Sequence, residues 1–338
     1  MNELNPQLLL GLVEAGYDLA PPLAIQPISA GMNNRSFLIS SAGSDYVLKW
    51  HQNTGAIERI MLLDPILAAL GRMHLPFAIP LTLRSRAGGP MYAAHIDDSM
   101  VILTLTPRID GRSPLFGDPQ QALVCGQALG LLDQALRRVR LVPGITVKDP
   151  FPVLDDIHPE ISDPTGMAHS MLTHGGVARL LVKIEDVWLE RTRRWPKQLI
   201  HGDFYPTNVL MVDASVSGVL DFEYSGPGHR AMDFATGLGA FGVKDWTARP
   251  EWSLIEAFAS GYMRHSPLTP EEREGVPDLL LKREATSFVH WLGRMHQGLT
   301  DSRDMRSRGE RLTALDRWMQ IHRGRLGEVL DRVGGAEA

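Results

Sequence analysis

The chain has 338 residues, 44% of them hydrophobic and 22% charged, a globular composition that excludes a disordered, collagenous or fibrous chain. That length exceeds what one small core serves and suits two lobes. A net charge of −5, from 34 Lys and Arg against 39 Asp and Glu, weighs against a chain built to hold nucleic acid, whose phosphates are met by many cationic contacts.

The single cysteine, Cys125, excludes an intramolecular disulfide and a multi-cysteine zinc site. Set among Leu123, Val124 and Ala128, it reads as a packing thiol. No basic segment precedes the short apolar run Leu8–Val13, and no stretch approaches about 18 uninterrupted apolar residues. Neither a secretion signal nor a membrane span is expected, and the expected setting is cytoplasmic.

In chain order, residues 5–16 read as a helix with Asn5 as N-cap, Pro6 at its first position and Gly16 as its stop. Residues 23–50 are strand-like, with a turn at Ser40–Asp45 between Phe37-Leu38-Ile39 and Tyr46-Val47-Leu48. Residues 54–73 are helical in composition, but Pro65 either starts a fresh helix capped by Asp64 or kinks the one before it. Strands are expected over 77–85, 90–96 and 100–106, and helices over 118–139 and 176–194. Between those helices, 142–168 is rich in Pro, Asp and Gly and reads as a long loop. Val209–Val212 and Val219-Leu220 suggest a β-hairpin, and 230–333 is helical.

Four weak signals then fall in a telling order. Gly31-Met32-Asn33-Asn34-Arg35-Ser36-Phe37 is a glycine-containing turn between strands, able to lay backbone N–H groups against phosphates or simply to turn. Lys49 sits inside an apolar strand, where its ammonium either snorkels to water or meets an anion. In Leu199–Met211, Asp203 can take a proton from a hydroxyl and Asn208 can offer an amide oxygen to a hard cation, or the loop is a solvated turn. Asp221 ends the second strand of the hairpin, which brings it toward Asn208. Together these are the working parts of kinase-style phosphoryl transfer.

LIHGDFYPTNVLM resembles the His-Gly-Asp-x-x-x-x-Asn loop of the aminoglycoside phosphotransferase/choline kinase family. VLDFEYSGPGHRAMDFA resembles that family's metal-binding Asp segment and the helix start after it, here Asp233-Phe234-Ala235. AGMNNRSFLI and YVLKW are similar to its phosphate loop and strand lysine. The likeness covers about residues 25–300 and is greatest to the homoserine kinase type II branch, including Gly261-Tyr262 through Leu268-Thr269-Pro270-Glu271.

The resemblance implies an α+β, protein-kinase-like bilobal fold. A nucleotide-binding lobe, 1–105, would hold an antiparallel sheet and one helix. A mainly helical lobe, 106–338, would carry the catalytic loop and acceptor site. It implies ATP and Mg²⁺ as cofactors, with Asp203 as catalytic base, Asn208 and Asp221 as metal ligands and Lys49 on the α- and β-phosphates. Gly31, Asn34 and Ser36 would cover the phosphates, and Thr104 and Thr106 would lie in the adenine-binding hinge. His201 and Asp233 read as structural supports of the loop. Glu223 either faces substrate or supports the metal site. The lysine needs a helix carboxylate to orient it, and Glu58 is favoured over Asp64. Gly202 stands where protein kinases carry an arginine that answers an activation-loop phosphate, so control of that kind is not expected.

The implied reaction moves the γ-phosphoryl group of ATP to a hydroxyl of a small molecule, homoserine or a related amino alcohol. The partner is that small molecule, with no nucleic acid and no membrane, and the chain acts as a monomer or homodimer. A helix over 282–294 would align Arg283, Ser287, Trp291 and Arg294 on one side, either to meet an acceptor carboxylate or as a core tryptophan with solvated arginines. The alternatives are an aminoglycoside, choline or sugar kinase, a Ser/Thr protein kinase of the same family, a nucleotide-binding pseudokinase, and a metal-dependent phosphohydrolase on His201, Asp203 and Asp221. The last would need more clustered ligands than this loop supplies.

Overall fold

The structure, a computed structural model, describes residues 5–30, 34–52, 55–96, 99–141, 147–171 and 176–335. They divide into two compact units, the first built chiefly from Met1–Gly111 and Ser217–Glu223, the second from Arg112–Arg138, Thr146–Val216 and Tyr224–Ala338.

The first unit opens with helix α1 (Pro6–Gly16), capped by the Asn5 side chain, which accepts from the Gln7 N–H at 2.9 Å. Strands β1 (Leu23–Ala30), β2 (Asn34–Ser41) and β3 (Ser44–His51) follow, then helix α2 (Ala56–Gly71) and strands β4 (Tyr92–Ile96) and β5 (Ser99–Pro107). The strands form one antiparallel sheet in the order β1-β2-β3-β5-β4. Alternation sorts their side chains onto two faces. Phe37, Ile39, Leu48, Trp50, Val101, Leu103 and Leu105 pack with Leu9, Val13 and Tyr17 of α1. The buried Tyr17 hydroxyl donates to the Leu103 carbonyl at 2.9 Å. On the other face Ile102 packs with Ala56 and Ile60 of α2.

Two expectations change here. Of the two readings at Pro65, the fresh helix is excluded: α2 runs through Pro65, and Asp64, instead of capping, accepts from Thr82 at 3.1 Å and Arg84 at 2.9 Å. Residues 77–85 are not a strand. Their backbone is taken up elsewhere, the Ala78 N–H by the Ser217 carbonyl at 2.9 Å and the Leu83 N–H by Leu105 at 2.7 Å. Ala78 in turn accepts from the Val219 N–H at 3.0 Å, which ties the 217–223 segment into this unit.

The second unit holds helices α3 (Pro119–Arg138), α4 (Pro164–Met171) and α5 (Gly176–Thr192) and strands β6 (Gln198–Ile200) and β7 (Val209–Val212). Strand β8 (Ser215–Val219) makes a hairpin with β7, and β9 (Gly226–Gly228) pairs antiparallel with β6. Helices α6 (Arg230–Gly242), α7 (Trp252–Met263), α8 (Pro270–His296) and α9 (Ser302–Gly335) complete it. The stretch expected as loop over 142–168 holds a 3-10 turn at Leu154–Asp156 and the start of α4. Helix α8 begins with a capping box between Thr269 and Glu272, and Glu272 also takes both arms of the Arg230 guanidinium, at 2.8 and 3.0 Å.

The α+β, protein-kinase-like class read from the resemblance is therefore what the chain forms: an antiparallel sheet with helices in one unit and a mainly helical second unit. Cys125 is fully buried, and burial pushes its thiol up to about 12. Among the described residues no helix is long and apolar enough to cross a membrane.

Helices α3 and α7 approach closely because Gly126 and Gly130 of one and Gly261 of the other present no side chain. A Cβ at these positions would meet the backbone carbonyls of Phe258, Tyr262 and Leu123 respectively. Gly126→Ala should therefore cost about 1–3 kcal/mol of stability by overpacking. Gly324→Ala, on α9 with open space around it, should add about 0.5–1 kcal/mol. Urea denaturation of both variants checks the contrast; equal shifts would refute the close approach.

Candidate active site

In the first unit the sheet sets the site by register. Ser36 lies opposite Lys49 across β2 and β3, and Lys49 opposite Thr104 across β3 and β5. By strand parity Lys49 and Thr104 share the face on which Ile102 meets α2. The Lys49 ammonium lies 2.5 Å from Glu223 Oε1 and 3.8 Å from Asp221 Oδ1. Burial works against its charge, but Asp221 and Glu223 outweigh it and hold the lysine above its ordinary range. His51, two residues on, is pushed down to about 4 by burial and by the Lys49 charge, and its Nε2 bonds Thr104 Oγ1 at 2.9 Å.

The expected helix carboxylate is not the partner of this lysine. Glu58 is exposed in the first turn of α2, and Asp64 is committed to Arg84 and Thr82. The 217–223 segment supplies the charge instead, seated by the Ala78 bridge and by the Ser217 hydroxyl, which donates to the Asp110 carbonyl at 2.6 Å. Asp221 itself sits at φ 60, a left-handed conformation rare outside glycine.

Of the phosphate-loop residues, Gly31 lies outside the described residues. Asn34 and Ser36 lie in β2, paired with His51 and Lys49. Thr104 and Thr106 both lie within the paired strand β5, opposite Lys49 and Val47.

In the second unit the loop after β6 is held from below. Asp233, fully buried in the first turn of α6, accepts the His201 N–H at 2.5 Å and the Gly202 N–H at 2.7 Å. The His201 ring is buried too, and its Nδ1 accepts the Asp203 N–H at 3.2 Å. Phe204 inserts into the aromatic core beside Phe241, ring centroids 5.7 Å apart. Asn208 closes the loop: its Nδ2 donates to the Asp203 carbonyl and to Asp203 Oδ2, both at 2.9 Å. Both bonds are made by the amide nitrogen, and the amide oxygen is the atom of this side chain that can meet a cation.

Helix α8 adds positive charge beside this loop. Arg283 Nη2 is 3.7 Å from Asp203 Oδ1, and its guanidinium lies over the Tyr205 ring at 5.0 Å. Trp291 is half-buried rather than core, with the Arg294 and Arg308 guanidinium groups 5.4 and 3.7 Å from its ring. His290 between them is pushed down to about 4, by burial first and then by Arg294, His158, Arg308 and Arg283.

In the first unit Asp221 Oδ1 is buried without a hydrogen-bond donor, and in the second Asn208 carries a neutral amide oxygen; carboxylate and amide oxygens are each of the kind that Mg²⁺ takes. Among the described residues no group of three or more His, Cys, Asp or Glu is placed to hold a metal ion.

Sequence reasoning missed three participants. Glu223 was weighed for substrate or metal and not for the lysine. Tyr205 was passed over, although it adjoins Phe204 in the loop. Asp133, a lone carboxylate on the stripe Gly126-Leu129-Asp133-Leu136 of α3, carried a legible signal, because an acid on a buried helix face needs a partner.

Residues 24–274 match the model of APH, the phosphotransferase enzyme family. A homoserine kinase of Methylobacillus flagellatus is 26% identical over 294 residues, 83% of this chain and 82% of that one. Among solved structures, a microcompartment-associated aminopropanol kinase superposes with a TM-score of 0.74 at 15% identity, covering 95% of this chain and 98% of that one. An amicoumacin kinase in complex with AMP-PNP and Ca²⁺ superposes with a TM-score of 0.64 at 15% identity, covering 95% and 93%. With three quarters of its length inside one family's bounds and its loop, lysine and carboxylates in that family's order, the chain belongs to the APH phosphotransferase enzyme family and is a small-molecule kinase whose acceptor is a hydroxyl group.

Proposed function

We propose that the chain transfers the γ-phosphoryl group of ATP to the hydroxyl of a small amino alcohol that carries a carboxylate, homoserine or a close relative. The observation that carries the acceptor class is Arg283 beside Asp203: a guanidinium 3.7 Å from the proposed base is suited to an acceptor whose anionic end must be held while its hydroxyl meets that base. A polycationic acceptor would be repelled by Arg283, Arg294 and Arg308. The homoserine kinase relatives support the same class, and the amicoumacin kinase complex supports a nucleotide with a divalent cation.

In this reading Lys49 binds the α- and β-phosphates, with Glu223 and Asp221 keeping its ammonium charged and aimed. Ser36 and the backbone around Gly31 and Asn34 cover the phosphates, and Thr104 and Thr106 border the adenine. Asn208 and Asp221 hold Mg²⁺, which when bound neutralises charge on the phosphates. Asp203 orients the acceptor hydroxyl and takes its proton late, since the phosphoryl transition state is loose. Glu223 acts through Lys49, while Arg283 and Trp291 shape the acceptor end.

Asp203→Ala should lower kcat by about 10²–10⁴ while Mg·ATP binding by calorimetry stays intact; a variant keeping half its turnover removes Asp203 from the role. Asp221→Ala should abolish the Mg²⁺-dependent part of nucleotide affinity, and an unchanged Mg·ATP affinity would count against it as a ligand. Wild type should phosphorylate homoserine in preference to its decarboxylated counterpart aminopropanol. Arg283→Met should raise KM for homoserine by about tenfold or more, the loss of a charge-assisted contact, without moving KM for aminopropanol. A coupled ADP-release assay reads wild type and Arg283→Met on both acceptors, and equal use of the two acceptors by wild type would overturn the carboxylate.

A further inference from the structure

The anchor of the loop, Asp233, has a second carboxyl beside it. Asp133 of α3 is 1% exposed, and its carboxyl is close enough to that of Asp233 for each to act on the other's charge. Asp133 Oδ2 accepts from the Tyr262 hydroxyl at 2.6 Å, while its Oδ1 is buried and receives no donor. Asp233 has both oxygens occupied by backbone N–H groups, those of His201 and Gly202. The nearby cation, Arg230, is spent on Glu272 and on the Pro267 carbonyl. Among the described residues no ion pair joins a cation to either of these two enclosed carboxyls. As two anions they would repel each other and forfeit their hydration together.

One proton between them removes both penalties, and the geometry says where it sits. Two N–H donors favour the charged form of Asp233. Asp133 has one phenolic donor and one bare oxygen, and a proton on that oxygen turns it into the donor the pair lacks.

We propose that Asp133 is a positioning residue of the phosphotransferase: protonated in the working enzyme, it donates to Asp233, so that an ionised Asp233 keeps the His201 and Gly202 N–H groups in place and Asp203 at a fixed angle. The proposal rests on the reading of Asp203 as the base. Its electrostatics come from every packed neighbour: Asp233 and Arg230 on α6, Tyr262 on α7, Asp203 in the loop acting on Asp233, and on β6 the neutral Gln198, which donates to the Asp133 backbone at 3.0 Å. Burial and then the Asp233 charge hold the Asp133 carboxyl well above the ordinary carboxylate range. The folded chain thus keeps a proton that the unfolded chain releases. Its contribution to stability is present below the ordinary carboxylate pKa and is lost as pH rises toward the raised value.

Two variants separate the proton from mere filling. Asp133→Asn keeps an acceptor for Tyr262 and a donor for Asp233; Asp133→Leu keeps neither. Asp133→Leu should lose kcat by about tenfold or more through a displaced base, with KM for ATP unmoved, and Asp133→Asn should restore most of that loss. An infrared difference, wild type minus Asp133→Asn at neutral pH, should show the carbonyl stretch of a protonated carboxylic acid, shifted in D₂O. Wild type should also release about one more proton than Asp133→Asn on unfolding at neutral pH. Absence of that band, or Asp133→Asn folded yet as slow as Asp133→Leu, overturns the proposal. Should Asp133→Leu fail to fold, the band and the Asp133→Asn rate still decide it. Normal turnover by Asp203→Ala with the band intact would strike at the assignment of Asp203 and not at the proton on Asp133.

Discussion

A carboxylate sealed from water holds the loop that carries Asp203, and the rest of the second unit is arranged so that it can. Asp233 accepts the consecutive N–H groups of His201 and Gly202, which fixes two peptide planes just before Asp203. Both donors belong to backbone, so the clamp is indifferent to side-chain rotamers and transmits the position of α6 directly to the loop. Helix α6 is in turn locked by its surroundings, with the Phe234 ring 4.8 Å from Tyr262 and Arg230 forked onto Glu272 at the start of α8. Even the close glycine packing of α3 on α7 serves this point, because those helices bring Asp133 and Tyr262 to it.

The first unit solves a different problem, how to keep an ammonium charged on a sheet. Register places Lys49 between Ser36 and Thr104, and parity turns it away from the apolar face that α1 covers. Desolvation alone would lower its pKa, and two carboxylates reverse the sign. These come from a segment some 170 residues further on, and three backbone or hydroxyl contacts at Ala78 and Asp110 bring it in. The expected strand over 77–85 does not form: the Ala78 N–H is taken by Ser217 and the Leu83 N–H by Leu105.

What was legible in the sequence was whatever local chemistry dictates. The Asn5-Pro6 helix start, the alternating strands from Leu23 to His51 and the long amphipathic helices all follow from caps and periodicity. The loop at Asp203 and Asn208 was legible because His-Gly-Asp-x-x-x-x-Asn is specific. Pairings between distant segments were not. Glu58 was favoured as the partner for Lys49 because Asp64 had a competing role as an N-cap; nothing local shows that 217–223 would supply the carboxylates instead. A fresh start or a kink was read at Pro65 because its missing N–H is a local fact, whereas the packing of Ile60, Leu63, Ile66 and Leu67 that carries α2 through it is tertiary.

Gly202 is held in its conformation by its close neighbours. It sits at φ 82, and a Cβ there would lie 2.5 Å from the Tyr224 carbonyl and 3.1 Å from Pro150. Gly226 is closed in the same way by the Lys148 carbonyl. No side chain fits at 202 to reach for a distant phosphate, and none is needed, because the two peptide groups that such a residue would steady are already bound by Asp233. A loop fixed by buried hydrogen bonds and by Phe204 in the core acquires its geometry when the chain folds. Modification of a neighbouring segment would find no charged partner at position 202 through which to act.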